Sequence, residues 1–178
     1  ERLAVAARDT GADVRVMAPM VATAEEADWF ARRVRENGLP RAGVMIEVPG
    51  AALRSEHVLR DVDFGSLGTN DLAQYTMAAD RMQGVLSDLL DPWQPAVLDV
   101  IAAACEGAAR AGRPMGVCGE AGGDPLLALV LTGLGAGSLS MAPSKVAMVR
   151  YALSLHSLPD CQGLAAAARG ARTAREAL

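Results

Sequence analysis

Aromatic side chains are almost missing from this chain of 178 residues: two Trp, two Tyr and two Phe amount to 3%. Its core must therefore be aliphatic and rich in alanine. Cysteine is equally sparse. Cys105, Cys118 and Cys161 are an odd number at unrelated spacings, with no CxxC pair and only two histidines to join them. That pattern fits neither a zinc site nor a disulfide framework, and it suits a reducing, cytoplasmic compartment. No apolar run approaches the ~20 residues of a membrane span. No basic stretch followed by an apolar one opens the sequence as a secretion signal would. The net charge is −4, without a cluster of Lys or Arg to match a phosphate backbone, so nucleic acids and membrane surfaces are poor partners.

What remains is a chain with 51% hydrophobic and 21% charged residues, enough apolar surface for a sizeable core. Short aliphatic runs alternate with longer amphipathic ones. Asp13–Ala18 (DVRVMA) reads as a buried strand, and Thr23-x-x-Glu26 is a capping box ahead of a helix carrying Trp29, Phe30 and Val34. Gly43–Val48 is the next strand, followed from Pro49 by a helix through Leu53, His57 and Val58. Val62–Leu67 is a third strand with Asn70–Ala79 helical behind it, and Pro95–Arg110 is an Ala-rich helix. Pro114–Cys118, Pro125–Leu134, Ser138–Met141 and Pro143–Leu155 continue the alternation, and Asp160–Leu178 reads as a last exposed helix weakened by Gly163 and Gly170. Five strand–helix units mean an α/β protein with parallel strands, either an open doubly wound sheet or part of a (β/α)8 barrel. A whole barrel needs ~250 residues, so a barrel reading makes this an incomplete one. Glu1–Thr10, read as the tail of a helix with no strand before it, favours a fragment.

The polar residues are informative by position. Glu47 closes the second strand, Asn70 and Asp71 follow the third, Cys118 closes the fourth and Ser140 the fifth. In a barrel all of these fall on the C-terminal face, where active sites are built. Glu47 interrupts the run VMIEVP, a costly place for a carboxylate without compensation. It is either a Mg2+ ligand shared with Asp71, or a helix cap or partner of an arginine. The turn from Gly65 to Asp71 leads into a helix N-terminus, either an anion cradle or an ordinary turn with Asn70 as N-cap. Arg81 offers a planar fork to a phosphate, or is a solvated surface residue. Cys118, among the glycines of GVCGEAGGD, is a nucleophile or proton donor, or else a small buried hydrophobe, as Cys105 and Cys161 are read to be.

Taken together, VMAPM (16–20), GVMIEVPGAA (43–52), VDFGSLGTNDLAQYTMAADR (62–81), CGEAGGD (118–124) and SLSMAP (138–143) resemble the C-terminal barrel of the enzyme I family of the sugar phosphotransferase system. The resemblance runs from about Val14 to the last strand and helix. QYTMAADR and Asp124 favour this family over the related pyruvate phosphate dikinases and phosphoenolpyruvate synthases, which remain the alternative.

The resemblance implies that residues 1–178 are the C-terminal portion of a phosphoenolpyruvate-binding (β/α)8 barrel, about five of its eight units. It implies Mg2+ held by Glu47 and Asp71. Asn70, Asp71 and Arg81 would contact the phosphate of phosphoenolpyruvate, and Cys118 would protonate the methylene carbon to give pyruvate. It also implies a phosphoryl-accepting histidine on a separate N-terminal domain, the carrier HPr as next acceptor, and a homodimer formed through this domain, with Val97, Ile101 and Ala104 a compatible apolar surface. Neither His57 nor His156 matches the acceptor motif, and Arg2, Arg8 and Arg15 do not match the further substrate arginines expected upstream. The fragment alone is then expected not to turn over. A silent dimerisation scaffold and a Mg2+-dependent lyase acting on a pyruvate enolate are the competing readings.

Overall fold

Five parallel strands succeed one another in space in the order of the sequence: β1 (Arg15–Ala18), β2 (Arg41–Ile46), β3 (Phe64–Gly68), β4 (Met115–Cys118) and β5 (Ser138–Leu139). The computed structural model that contains them describes residues 5–6 and 12–178. Helix α1 (Ala24–Glu36) follows β1, while α2 (Pro49–Leu53) and α3 (Ser55–Val58) follow β2. Between β3 and β4 lie α4 (Thr69–Met77), a 3-10 segment over Gly84–Leu90, and α5 (Pro95–Arg110). A 3-10 turn at Glu120–Gly123 and α6 (Pro125–Gly133) connect β4 to β5; α7 (Pro143–Ser154), α8 (Leu158–Gly170) and α9 (Ala174–Ala177) complete the chain. A strand order without reversal has no switch point, which rules out the doubly wound alternative and leaves five consecutive βα units.

Register explains which side chains meet. Val44, Gly65 and Met115 stand side by side, as do Ile46, Leu67 and Val117. These two rows are buried, forming the face covered by the helices. The opposite face carries Met45, Phe64, Ser66, Gly116 and Cys118, all half-buried. The helices begin where the sequence directs. Thr23 Oγ1 accepts the N–H of Glu26 at 3.3 Å, and Glu26 Oε2 accepts that of Thr23 at 3.1 Å, completing the capping box of α1. Pro49, Pro95, Pro125 and Pro143 all sit in the first turn of their helices, where the missing N–H costs nothing.

Several expectations change. The helix read from Pro49 to Val58 breaks at Arg54 into α2 and α3. The tail is not one exposed helix: α8 docks on α6 and α5 by burying Cys161, Ala165 and Ala168, and Arg169 Nε donates to Asp99 Oδ1 of α5 at 2.6 Å. Val97, Ile101 and Ala104, 1%, 2% and 0% exposed, belong to the chain's own core and offer no surface for a dimer. The apolar side chains left outside lie elsewhere. Only Val149 of α7 is buried, and Val146, Met148 and Tyr151 stay exposed beside the edge strand β5. The helical tail expected at Glu1–Thr10 lies outside the described residues apart from Val5 and Ala6. No helix among the described residues is long and apolar enough to cross a membrane.

Helix α8 crosses α6 so closely that a Cβ at Gly133 would collide with the backbone carbonyl of Cys161. Gly133→Ala is expected to lower stability in urea unfolding, since overpacking against backbone costs ~1–3 kcal/mol and exceeds the gain in helix propensity of at most ~1 kcal/mol. Gly163, in α8 where an added Cβ would meet nothing within 4 Å beyond its own helix, is the control: Gly163→Ala is expected to raise stability by ~0.5–1 kcal/mol. The cysteines make a second check. Burial pushes the Cys105 thiol up to about 12 and raises that of Cys161 as well, whereas Cys118 is half-buried at a strand end. Iodoacetamide at neutral pH should label Cys118 first, as read by peptide mass, and equal labelling of Cys105 would mean that α5 opens readily.

Candidate functional site

Strand β2 carries Glu47 one residue past its end, to the C-terminal edge of the sheet, with its side chain 3% exposed. Its Oε1 accepts the backbone N–H of Met20 at 2.7 Å. Met20 lies in the turn leaving β1 and holds a left-handed φ of 55°, a conformation that persists in a non-glycine residue only when its surroundings over-determine it. Glu47 Oε2 lies over Gly68, the last residue of β3, where an added Cβ would stand 2.5 Å away. The close approach therefore requires glycine at 68. Among the described residues no donor reaches Oε2. The two structural roles open to Glu47 are not what it does. Helix α2 is entered through Val48 without a side-chain cap, and the ion pairs among the described residues leave Glu47 out.

The turn after β3 builds the second part. Gly68 is the N-cap of α4 and supplies no side-chain cap, so Asn70 is not the cap but the second helical residue. Among the described residues no side chain caps the first-turn N–H groups, which suits an anion. Asp71 lies in that first turn with its side chain 29% exposed. Ala78 then closes α4 in a left-handed conformation, and the N–H of Arg81 donates to Gln74 Oε1 at 3.2 Å. The chain folds back so that Arg81 Nη2 stands 3.9 Å from Asp71 Oδ1. At this exposure and distance the pair stabilises little, so the guanidinium is available to another anion.

Cys118 ends β4, and its thiol donates to Leu67 O of β3 at 3.2 Å. A carbonyl oxygen only accepts, so this contact has the proton on sulfur. Thr69 Oγ1 donates to Cys118 O at 3.2 Å, tying the start of α4 to the same strand end. Glu47 and Cys118 thus address adjacent residues, Gly68 and Leu67, from the two strands flanking β3. Ser140 lies just past β5, and its N–H donates to Val117 O at 2.8 Å. The structure therefore gathers Glu47, Asn70, Asp71, Arg81 and Cys118 around the C-terminal end of β3. His57 and His156 lie apart from it; His156 Nδ1 contacts Ala152 O within its own helix end. Sequence reasoning did not single out Met20 and Thr69, whose roles run through a backbone amide and a hydroxyl contact across strands.

The donor set fits a hard cation. Among the described residues Oε2 of the buried Glu47 has no donor, and a carboxylate with a single hydrogen bond is costly to bury. Asp71 lies three residues beyond the glycine that Oε2 faces. Mg2+ takes one or two carboxylates and completes its shell with substrate oxygens and water. No group of three or more His, Cys, Asp or Glu side chains that could hold a metal ion occurs among the described residues, so a cation here would depend on substrate oxygens.

A family model described as PEP-utilising enzyme, PEP-binding domain, matches residues 2–157. A phosphoenolpyruvate-protein phosphotransferase of Streptomyces coelicolor is 54% identical over 98% of this chain and 32% of its own length. One from Borreliella burgdorferi is 40% identical over 85% of the chain and 29% of its own length. A multiphosphoryl transfer protein of Rhodobacter capsulatus is 39% identical over 93% and 21%. The chain spans about a third or less of the length of these relatives. With 156 consecutive residues matched, it belongs to the family of PEP-utilising enzymes, within their PEP-binding domain.

Proposed function

We propose that this chain is the phosphoenolpyruvate-binding part of a phosphoenolpyruvate-protein phosphotransferase. The protein it serves moves the phosphoryl group of phosphoenolpyruvate onto its own histidine and then to the carrier HPr, in the cytoplasm. The observation that carries this reading is the convergence of Glu47 and Cys118 on Gly68 and Leu67, next to the uncapped start of α4. That arrangement offers a phosphate cradle and an acid within one turn of each other. The names of the relatives favour phosphotransfer over the dikinase alternative.

In this reading the free N–H groups of α4 and the Asn70 side chain orient the phosphate, and Arg81 neutralises charge spread over its oxygens. Mg2+, when bound by Glu47 and Asp71, would add positive charge at the phosphoryl and enol oxygens. Departure of the phosphoryl group leaves the enolate of pyruvate. The Cys118 S–H bond then breaks, its proton forms the new C–H bond at the methylene carbon, and water returns a proton to the thiolate. Leu67 O holds the thiol in its donating form until then. The strands that would close a (β/α)8 barrel against the outer edges of β1 and β5, the histidine domain and a second protomer all belong to this proposal. The exposed face of α7 beside β5 is the place such strands would cover.

Two experiments on the protein at its natural length test the reading. Phosphoenolpyruvate titrated calorimetrically with and without Mg2+ should give heat that requires both the metal and Asp71, and Glu47→Gln should weaken the metal dependence. A normal metal titration in Glu47→Gln would remove that residue from the site, and heat indifferent to metal and to Asp71→Asn would favour the scaffold reading. Cys118→Ala should slow pyruvate formation by ~10²–10⁴-fold, the range of a positioned general acid, while sparing phosphoenolpyruvate binding. Unchanged turnover would reject Cys118 as the acid.

A further inference from the structure

Beside the strand-end site, a cavity of about 370 Å3 opens between α4, α5, α6 and the 3-10 segment before α5. Its volume lies at the lower end of the ~300–1,000 Å3 of small-molecule pockets. The floor is apolar: Val97, Ile101, Leu127 and Leu131 are 0–2% exposed, and half-buried Leu90 closes one side. Phosphoenolpyruvate has no alkyl group to place there, so the reading above leaves this floor unused.

Thr69, which also lines it, is buried and spends its Oγ1 on Cys118 O, while the other polar residues, Asn70, Arg81, Glu120 and Asp124, lie at the more exposed rim. One cation and one amide stand with two carboxylates. Asp124 spends Oδ1 on the N–H groups of Leu126 and Leu127, at 2.8 and 3.2 Å, where it caps α6. Among the described residues its Oδ2 and the carboxylate of Glu120 have no donor. A second simple anion would be repelled by this pair, and a simple amine would leave Arg81 with only its loose partner Asp71, 3.9 Å away. A zwitterion satisfies both.

The geometry points to an α-amino acid with an apolar side chain as the occupant. Its carboxylate lies on Arg81 and Asn70, its ammonium on Glu120 and Asp124 Oδ2, and its side chain on the floor formed by Ile101 and Leu131. The inference goes beyond the phosphoenolpyruvate reading but shares Asn70 and Arg81 with it. An amino acid bound here therefore opposes phosphoenolpyruvate, and the pocket is an inhibitory site responsive to the supply of apolar amino acids.

The test uses the protein at its natural length and L-leucine as probe, with glycine, 4-methylpentanoate and isopentylamine as analogues lacking side chain, ammonium or carboxylate. Calorimetry should find leucine at least about tenfold tighter than each analogue, the size of one lost charge-assisted hydrogen bond or buried alkyl group. Glu120→Gln should erase most of the advantage over 4-methylpentanoate. Ile101→Phe, which fills the floor, should abolish leucine binding and leave phosphoenolpyruvate binding intact. Should that variant fold poorly by circular dichroism, Leu90→Trp at the cavity's side serves the same purpose. Leucine should also weaken phosphoenolpyruvate binding in competition. Leucine no tighter than glycine, or undiminished in a folded Ile101→Phe or Leu90→Trp protein, overturns the inference. Phosphoenolpyruvate binding without leucine binding overturns it alone, and leucine binding without phosphoenolpyruvate binding overturns the phosphotransfer reading while this one stands.

Discussion

The rest of the site depends on one buried carboxylate. Glu47 leaves β2, takes the amide of Met20 from the turn after β1 and rests on Gly68 at the end of β3, so three successive strand ends are held by one side chain. A carboxylate in so buried a place is expensive. The left-handed backbone of Met20 and the glycine at 68 are the local concessions that keep it in place. An apolar residue at 47 would have closed the sheet edge at less cost, and it would have left the two neighbouring turns free to drift.

The scaffold behind this edge is an aliphatic one. With so few aromatics, close contact comes from small residues that let helices approach, as where Ser55 Oγ of α3 donates to Ala104 O of α5 at 3.0 Å. Helix α5 is the strut that touches α2, α3, α4 and α8, and its buried face is mostly Ala, Val, Leu and Ile. Close approach of this kind is rigid, which suits a site whose groups sit on strand ends and one helix start.

The strand–helix alternation was legible in the sequence because aliphatic runs, prolines in first turns and the Thr23–Glu26 box all pointed the same way. So was the line of polar residues at strand ends, since Glu47 and Cys118 stand where continuous aliphatic runs stop. What stayed hidden depends on contacts distant in sequence. Nothing local says that Met20 will donate to Glu47, that Gly68 rather than Asn70 will cap α4, or that Val97 and Ile101 will face inward instead of toward a partner. The tail misled for the same reason: Asp160–Leu178 reads as an exposed helix, and only its docking on α6 and α5 shows that Cys161, Ala165 and Ala168 are buried.

That docking also bears on where the physical unit ends. The family match stops at residue 157, yet α8 begins at Leu158 and lies along α6 and α5, with Cys161, Ala165 and Ala168 sealed between them. A boundary drawn by likeness at 157 would strip a helix from the far side of the very helix that Asp124 caps. It would bare α6 on the side where Gly133 meets the backbone of Cys161, so a minimal piece of this protein has to be cut by packing, beyond the last residue of that family match.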